Sequence, residues 1–310
     1  MSYVFDKSAP STGAVAMYNF KACAKTAGWS VPSSGDGLSS YSSSSDTITG
    51  SSSGANGLAN SSAWFRIRDP AGVREITVQR NSNLNWRIKY SASARFTGGS
   101  PSATQTPSAT DEVILLGGGT DASPTYAALL TADAGYTWKV GFDNASPYGF
   151  WSGGIINGGA SLGGAFWMDP VNGDASDTDP VVFYIPGGAW NSASYYGLSG
   201  PKGWLSNTHT SSGNFVVLSA AVYYDSGNAA NLFPAGLVTN PFSGKQDGIP
   251  PFYARRAAAT APQGVKGVSR MLKWIGTSKS NGETLTVVSS QDYIIMSGLA
   301  FPWDGTTPSV

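Results

Sequence analysis

Few residues in this 310-residue chain could do acid–base or nucleophilic chemistry: one histidine, one cysteine, three glutamates and a scatter of aspartates. Any Ser-His-Asp or Cys-His site would have to use His209, in SNTHTSSG. Zinc motifs built on paired histidines need more than one, so they are excluded. His209 reads better as a residue of a surface loop. Glu75, Glu112 and Glu283 are the only glutamates. A glycosidase needs two carboxyl groups flanking one bond, and no spacing here selects a pair. Most aspartates sit beside Gly, Pro or Ser, as turn residues do. No catalytic residue and no cofactor is assigned, and the chain is expected not to be an enzyme.

One cluster resembles a metal loop. In DPVNGDASDTD, Asp169, Asn172, Asp174, Asp177 and Asp179 supply hard oxygen ligands of the kind calcium takes. The spacing does not follow the EF-hand loop, and its closing glutamate is missing. Pro170 and Pro180 bracket the segment. An Asp-rich surface turn is the preferred reading, with calcium as the alternative. The run LGGGTDASP, Leu116 to Pro124, lacks the G-K-[ST] of a phosphate-binding loop, so a tight β turn accounts for it better. Cys23 is the sole cysteine, which rules out an intrachain disulfide. Within an amphipathic helix it reads as a small core residue.

The densest positive charge lies in AWFRIRDPAGVREITVQRNSNLNWRIKY, Ala63 to Tyr90, which holds five arginines and a lysine. A nucleic-acid surface is one reading. Composition argues against it: charged residues are 12% of the chain and the formal net charge is zero, whereas phosphate binding depends on excess Lys and Arg. Period two gives another reading. Phe65 and Ile67 point opposite to Trp64, Arg66 and Arg68. Ile76 and Val78 oppose Glu75, Thr77 and Gln79, and Ile88 and Tyr90 oppose Arg87 and Lys89. Pro70 suits the turn DPAG between the first two strands. The stretch is therefore a three-stranded meander with one apolar side and one charged side, and the charged side is expected to face solvent or another subunit.

The elements around it follow from pattern. Gly13 to Gly28 repeats Val15, Tyr18, Ala22 and Cys23 at helical spacing, with Ser11 and Thr12 as caps at its start and Gly28 at its end. Ser30 to Ser62 is rich in Ser and Gly and reads as loop and edge strand, with a short strand at Asp46–Ile48. From Ala63 onward about a dozen short runs of Val, Ile, Thr and aromatics are bounded by Gly, Pro, Asn and Asp. Thr125–Leu130 suggests a helical turn. Short strands without crossover helices predict a mainly β chain, an antiparallel sandwich or jelly roll with one N-terminal helix and long ordered loops. The expected division is 1–62, a helix and Ser/Gly-rich arm, and 63–310, a β domain with a long loop at 228–262. No apolar run approaches the roughly 18 residues of a membrane span, and the start lacks a basic-then-apolar signal region.

Aromatics are 12% of the chain, with 10 Trp. They cluster at Tyr148–Trp151, Phe166–Trp167, Trp190–Gly197 and Phe301–Gly305. Large rings suit cores and interfaces alike. The expected interface set is Trp64, Arg66, Arg68, Arg87, Lys89, Trp151, Trp190 and Trp303.

Several segments together carry a likeness: AGWSVPSSGDG (Ala27–Gly37), AWFRIRDPAGVREITVQRN (Ala63–Asn81), DNASPYGFW (Asp143–Trp151), FWMDP with DTDPVVFY (Phe166–Pro170, Asp177–Tyr184) and FPWDG (Phe301–Gly305). Over most of its length the chain resembles uncharacterised virion structural proteins of tailed bacteriophages. The resemblance implies a component of the tail, neck or baseplate, made in the host cytoplasm and localised to the virion. It implies a symmetric homo-oligomer in contact with other virion proteins, and it carries over no catalytic residue. The rival expectation is a carbohydrate- or receptor-binding fibre or spike module that meets a host surface glycan. Neither reading calls for nucleic acid or membrane insertion.

Overall fold

The computed structural model describes residues 3–6, 13–35, 41–42, 64–81, 85–92, 114–115, 119–120, 123–124, 136–156, 162–170, 181–186, 196–199, 215–219, 223–225, 228–230, 238–239, 241–242, 246–247, 250, 252–256, 264–275, 279–286, 291–296 and 298–304. Among these the protein is mainly antiparallel β, with one α-helix at Gly13–Thr26.

The helix ends where Gly28 adopts a left-handed φ of 89°. The Gly28 N–H donates to Lys25 O and the Trp29 N–H to Ala24 O, both at 3.0 Å. This is the Schellman pattern, which satisfies carbonyls that the last turn leaves open. The periodicity of this segment holds, but the buried stripe differs from the expected one. Met17, Phe20, Lys21, Cys23, Ala24 and Ala27 are buried, while Tyr18 and Ala22 are half-buried. In GAVAMYNFKACAKT two apolar stripes share the same period. The wholly apolar ring, Phe20, goes inward, and Tyr18 with its hydroxyl stays half-buried.

A central six-stranded sheet runs in the order Tyr3–Asp6, Tyr136–Asp143, Phe150–Ile156, Leu162–Asp169, Val181–Pro186 and Tyr196–Ser199. Its register puts Val140, Phe142, Phe150, Phe166 and Met168 on one face. Gly141, Trp151, Gly153, Ala165 and Trp167 lie on the other. Where side chains are described in the strands Tyr136–Asp143, Phe150–Ile156 and Leu162–Asp169, both faces are buried. On the first, Phe20 of the helix meets Phe142, Phe150 and Phe166 with ring centroids 5.0, 5.5 and 5.6 Å away. On the second lies a four-stranded C-terminal sheet in the order Lys273–Trp274, Leu299–Trp303, Asp292–Met296 and Thr284–Thr286. Its Phe301 packs on Trp151 and Trp167, and its Trp303 on Trp151 and Phe5. Antiparallel sheets usually leave one face to water, so this double coverage calls for apolar residues at successive positions along each strand.

A second six-stranded sheet, here called the arginine sheet, runs Tyr41–Ser42, Ser30–Gly35, Trp64–Arg68, Arg74–Asn81, Asn85–Ala92 and Ile114–Leu115. In the meander from Trp64 to Ala92, Phe65 lies opposite Val78 and Ile67 opposite Ile76, so the apolar rows of the first two strands share a face as expected. Phe65 also reaches Phe20, so one helical ring touches both large sheets.

Within the stretch 1–62, expected as a helix and Ser/Gly-rich arm, Tyr3–Asp6 pairs into the central sheet and Ser30–Gly35 into the arginine sheet. Its expected strand at Asp46–Ile48 and the helical turn at Thr125–Leu130 lie outside the described residues. The stretch 228–262, expected as a loop, carries strands at Asn228–Ala230, Val238–Thr239, Gln246–Asp247 and Phe252–Arg256. Phe252–Arg256 pairs on both sides, with Phe215–Ser219 and with Gly264–Val268. The Phe215–Ser219 partner is distant in sequence, so no local turn signals that pairing.

Candidate functional site

Two clusters of charged residues stand out. The first lies in the arginine sheet. Arg68 and Glu75 are register partners, and Arg66 is diagonal to Glu75 on the same face. Arg68 Nε donates to Glu75 Oε1 at 2.5 Å, and Arg66 Nη2 donates to Glu75 Oε2. Glu75 is fully buried, Arg66 is buried and Arg68 is partly exposed. This corrects the expectation for Arg66, which is buried against Glu75 instead of facing solvent or a subunit, while Arg68 keeps part of its side chain exposed. Two guanidiniums on one carboxylate satisfy both of its oxygens, which makes burial of the charge tolerable.

The turn beside this cluster is built as the DPAG sequence implied. The Gly72 N–H donates to Asp69 O at 2.9 Å, and Gly72 has a φ of 73°. The Asp69 carboxylate then accepts from the N–H groups of Val73 and Arg74, at 2.8 and 3.1 Å. The Arg74 side chain lies on the inner face, fully buried, with Nη1 at 3.4 Å from Asp69 Oδ2. Nη1 also donates to Pro147 O at 2.8 Å, which joins the arginine sheet to a turn of the central sheet. In that turn the Ser146–Pro147 peptide is cis and Tyr148 has a φ of 62°.

The second cluster sits at a corner of the central sheet. Asp143 and Asp169 end the two strands that flank Phe150–Ile156, on the face that meets the C-terminal sheet, and both are buried. Burial pushes the Asp143 carboxyl above its ordinary value, with the Asp169 charge adding to it, while the Ala145 N–H at 3.0 Å pulls the other way. The Tyr3 phenol is pushed well up, first by burial and then by Asp143 and Asp169. Asp169 Oδ2 accepts the Ser269 hydroxyl at 2.5 Å, and Ser269 Oγ accepts the Leu272 N–H at 3.0 Å. Asp143 thus caps one turn, and Asp169 and Ser269 together fix the entry to the C-terminal sheet.

The sequence-selected residues are therefore dispersed. The structure places Trp151 and Trp303 in the core between the central and C-terminal sheets, 0% and 1% exposed, not on a subunit-facing surface. Room for Trp151 comes from glycine: a Cβ on Gly141 would lie 2.4 Å from Trp151 Nε1. Lys139, also buried there, holds its ammonium 5.5 Å above the Trp303 ring, and burial lowers its pKa. Register puts Trp64, Arg87 and Lys89 on the same face as Arg66. Trp190 lies outside the described residues, as do Asn172, Asp174, Asp177 and Asp179 of the calcium candidate, His209 and Glu112. Asp169, the described member of that candidate set, is the buried partner of Ser269. Glu283 is exposed and accepts the Ser280 N–H at 2.9 Å in a turn. Cys23 is a core residue, as expected: its thiol donates to Val4 O at 3.2 Å, and burial pushes its pKa up to about 12, with Asp6 adding to the shift.

Among the described residues no three His, Cys, Asp or Glu side chains gather as metal ligands. No described helix is long and apolar enough to cross a membrane. The buried bonds from Arg74 to Pro147 and from Ser269 to Asp169 join segments far apart in sequence, and no sequence signal marks them. No protein-family model matches the chain, and no curated protein is similar to it.

Proposed function

We propose that this chain is a structural component of a tailed-phage particle, in the tail, neck or baseplate, that works by self-assembly and by contact with neighbouring virion proteins. The sandwich or jelly-roll arrangement belongs to the same proposal. One observation carries it: the charged groups in both clusters are engaged in holding the fold. Glu75 is gripped by Arg66 and Arg68, Asp69 accepts two backbone N–H groups, Arg74 binds Pro147, and Asp169 binds Ser269. Groups anchored in this way suit a rigid building block, and the near-neutral chain limits repulsion between copies. Light scattering on the purified chain, with electron microscopy of particles, tests the proposal. A defined oligomer and a place in the particle are the expected results; a chain that stays monomeric at high concentration and is absent from particles overturns it.

A second reading, a carbohydrate- or receptor-binding fibre or spike module, is favoured by Phe242. This ring is 98% exposed at the turn between Val238–Thr239 and Gln246–Asp247, and an exposed aromatic can stack on a sugar. Glycan-array binding that Phe242→Ala abolishes would favour it, and an array without binding would count against it.

A further inference from the structure

The corner that holds Asp143 and Asp169 draws on three strands and on the entry to the C-terminal sheet. Tyr3 is the register partner of Asp143. On the other side of Asp143, its N–H donates to Gly149 O at 2.9 Å. Phe150 pairs with Phe142 and with Met168, so continuing both registers by one residue sets Gly149 between Asp143 and Asp169. The two aspartates thus share one row and one face, and the residue between them has no side chain. None would fit, because a Cβ on Gly149 would lie 2.9 Å from Met168 O and 3.2 Å from Pro170 Cδ. Asp143 and Asp169 are 2% and 1% exposed. Of the cations that act on Asp143, Arg270 is exposed, and the other is the amino terminus. Through Asp169 Oδ2 the row takes the Ser269 hydroxyl, and Ser269 Oγ in turn takes the Leu272 N–H just before the first strand of the C-terminal sheet. One carboxylate therefore ties the two sheets together, and a second is buried in the same row.

We propose that this row is a proton-sensitive latch between the central and C-terminal sheets: with Asp143 protonated the C-terminal sheet is held closed, and with both carboxylates charged it opens locally more often. Two like charges in a dry site repel each other, and each gains by reaching water. Local opening of one sheet is the motion that admits it. The sign follows from the groups that face Asp143. Burial raises its pKa above 3.8 and the Asp169 charge adds to this, while the Ala145 N–H, the amino terminus and Arg270 lower it. A proton therefore binds the closed corner more tightly than the open one. The contribution is fully present below the ordinary value and is lost as pH rises through the closed value. The Tyr3 phenol is pushed well above its ordinary 10.0, so it stays neutral across that window. Lys139, the buried cation of the same layer, has the opposite sign: burial lowers its pKa, so its contribution grows with rising pH.

Hydrogen exchange of the full chain tests this, read by mass spectrometry between about pH 4 and 7 and corrected for the intrinsic exchange rate at each pH. The expected result is that protection of Asp292–Trp303, in the C-terminal sheet, falls as pH rises, while that of the helix Gly13–Thr26 does not. In Asp143→Asn, which keeps an acceptor for the Ala145 N–H, the fall in Asp292–Trp303 should be lost. Protection there that is flat in the wild-type chain, or that falls equally in the helix, overturns the latch. So does a fall that Asp143→Asn leaves in place. Protection that rises with pH also overturns it, and points to Lys139. Should circular dichroism show that Asp143→Asn does not fold, the contrast between the two segments in the wild-type chain decides alone.

Discussion

The two faces of the central sheet are both dry, but they are dry by different means. On the helix side one ring, Phe20, reaches down among Phe142, Phe150 and Phe166, and the Trp29 ring closes the cluster against Phe142 and Phe150. On the other side a second sheet approaches, and the Trp151 indole fits only because Gly141 lacks a side chain, while Met296 is seated over Gly153. The helix side is a lock of large residues around one centre. The sheet side is a matching of bulk to absence, and it also encloses Lys139, Asp143 and Asp169. A helix can present one long side chain at a chosen height, whereas two packed sheets stand about 10 Å apart and must fill that gap evenly.

The largest effect should come from emptying the helix side. Phe20→Ala should cost about 3–5 kcal/mol in urea unfolding, the usual range for a buried phenylalanine. A loss well under 1 kcal/mol would mean that Phe20 is not the centre of that layer. Next is overfilling of the sheet side. Gly141→Ala should cost about 1–3 kcal/mol, because the added methyl meets the rigid Trp151 indole. Gly153→Ala should cost less: its methyl would lie 2.2 Å from Met296 Sδ, and a methionine can swing aside. A reversed order would break the picture of Trp151 seated over Gly141.

The smallest effect is in pH dependence, and it too separates the faces. Burial raises the Asp143 pKa, so protonation favours the folded state. That contribution is fully present below the ordinary value of 3.8 and is lost as pH rises through the folded value. Asp143→Asn should therefore leave stability near pH 7 unchanged or slightly raised, and should steepen the fall of stability in acid, because a contribution that grows as pH drops is removed. On the helix side the Cys23 thiol titrates only at about 12, so Cys23→Ser should leave the profile between pH 4 and 8 unaltered. Thermal unfolding across pH for both variants checks the contrast.

Local pattern made part of this legible. The meander from Trp64 to Ala92 alternates with period two, and Pro70 marks its turn, so strands, turn and apolar face could be read. Gly28 announced the end of the helix. What escaped depends on partners far away. Tyr3–Asp6 is a short run, and its pairing strand lies far along the chain at Tyr136–Asp143. Leu299–Trp303 contains Pro302, which argues against a paired strand. Its neighbour Lys273–Trp274 pairs only as far as Ala300, so the missing N–H is not needed there. Arg66 looked solvent-facing because period two separates faces without saying what covers them. Glu75, diagonal to it in the sheet, decides that Arg66 is buried. The same limit applied to Trp151 and Trp303, which read equally well as core or interface until the C-terminal sheet was in place over them.

The pairing of Tyr3–Asp6 with Tyr136–Asp143 also sets a timetable. The first strand leaves the ribosome early, and so does Phe20, yet their partners in the central sheet emerge only much later. At about 5–20 residues per second the wait is on the order of ten seconds. Throughout it, the helix can meet Phe65 but has no central sheet to settle on. Contacts this distant in sequence slow folding, so the early third of the nascent chain is the part most in need of a chaperone or of a fast-arriving neighbour.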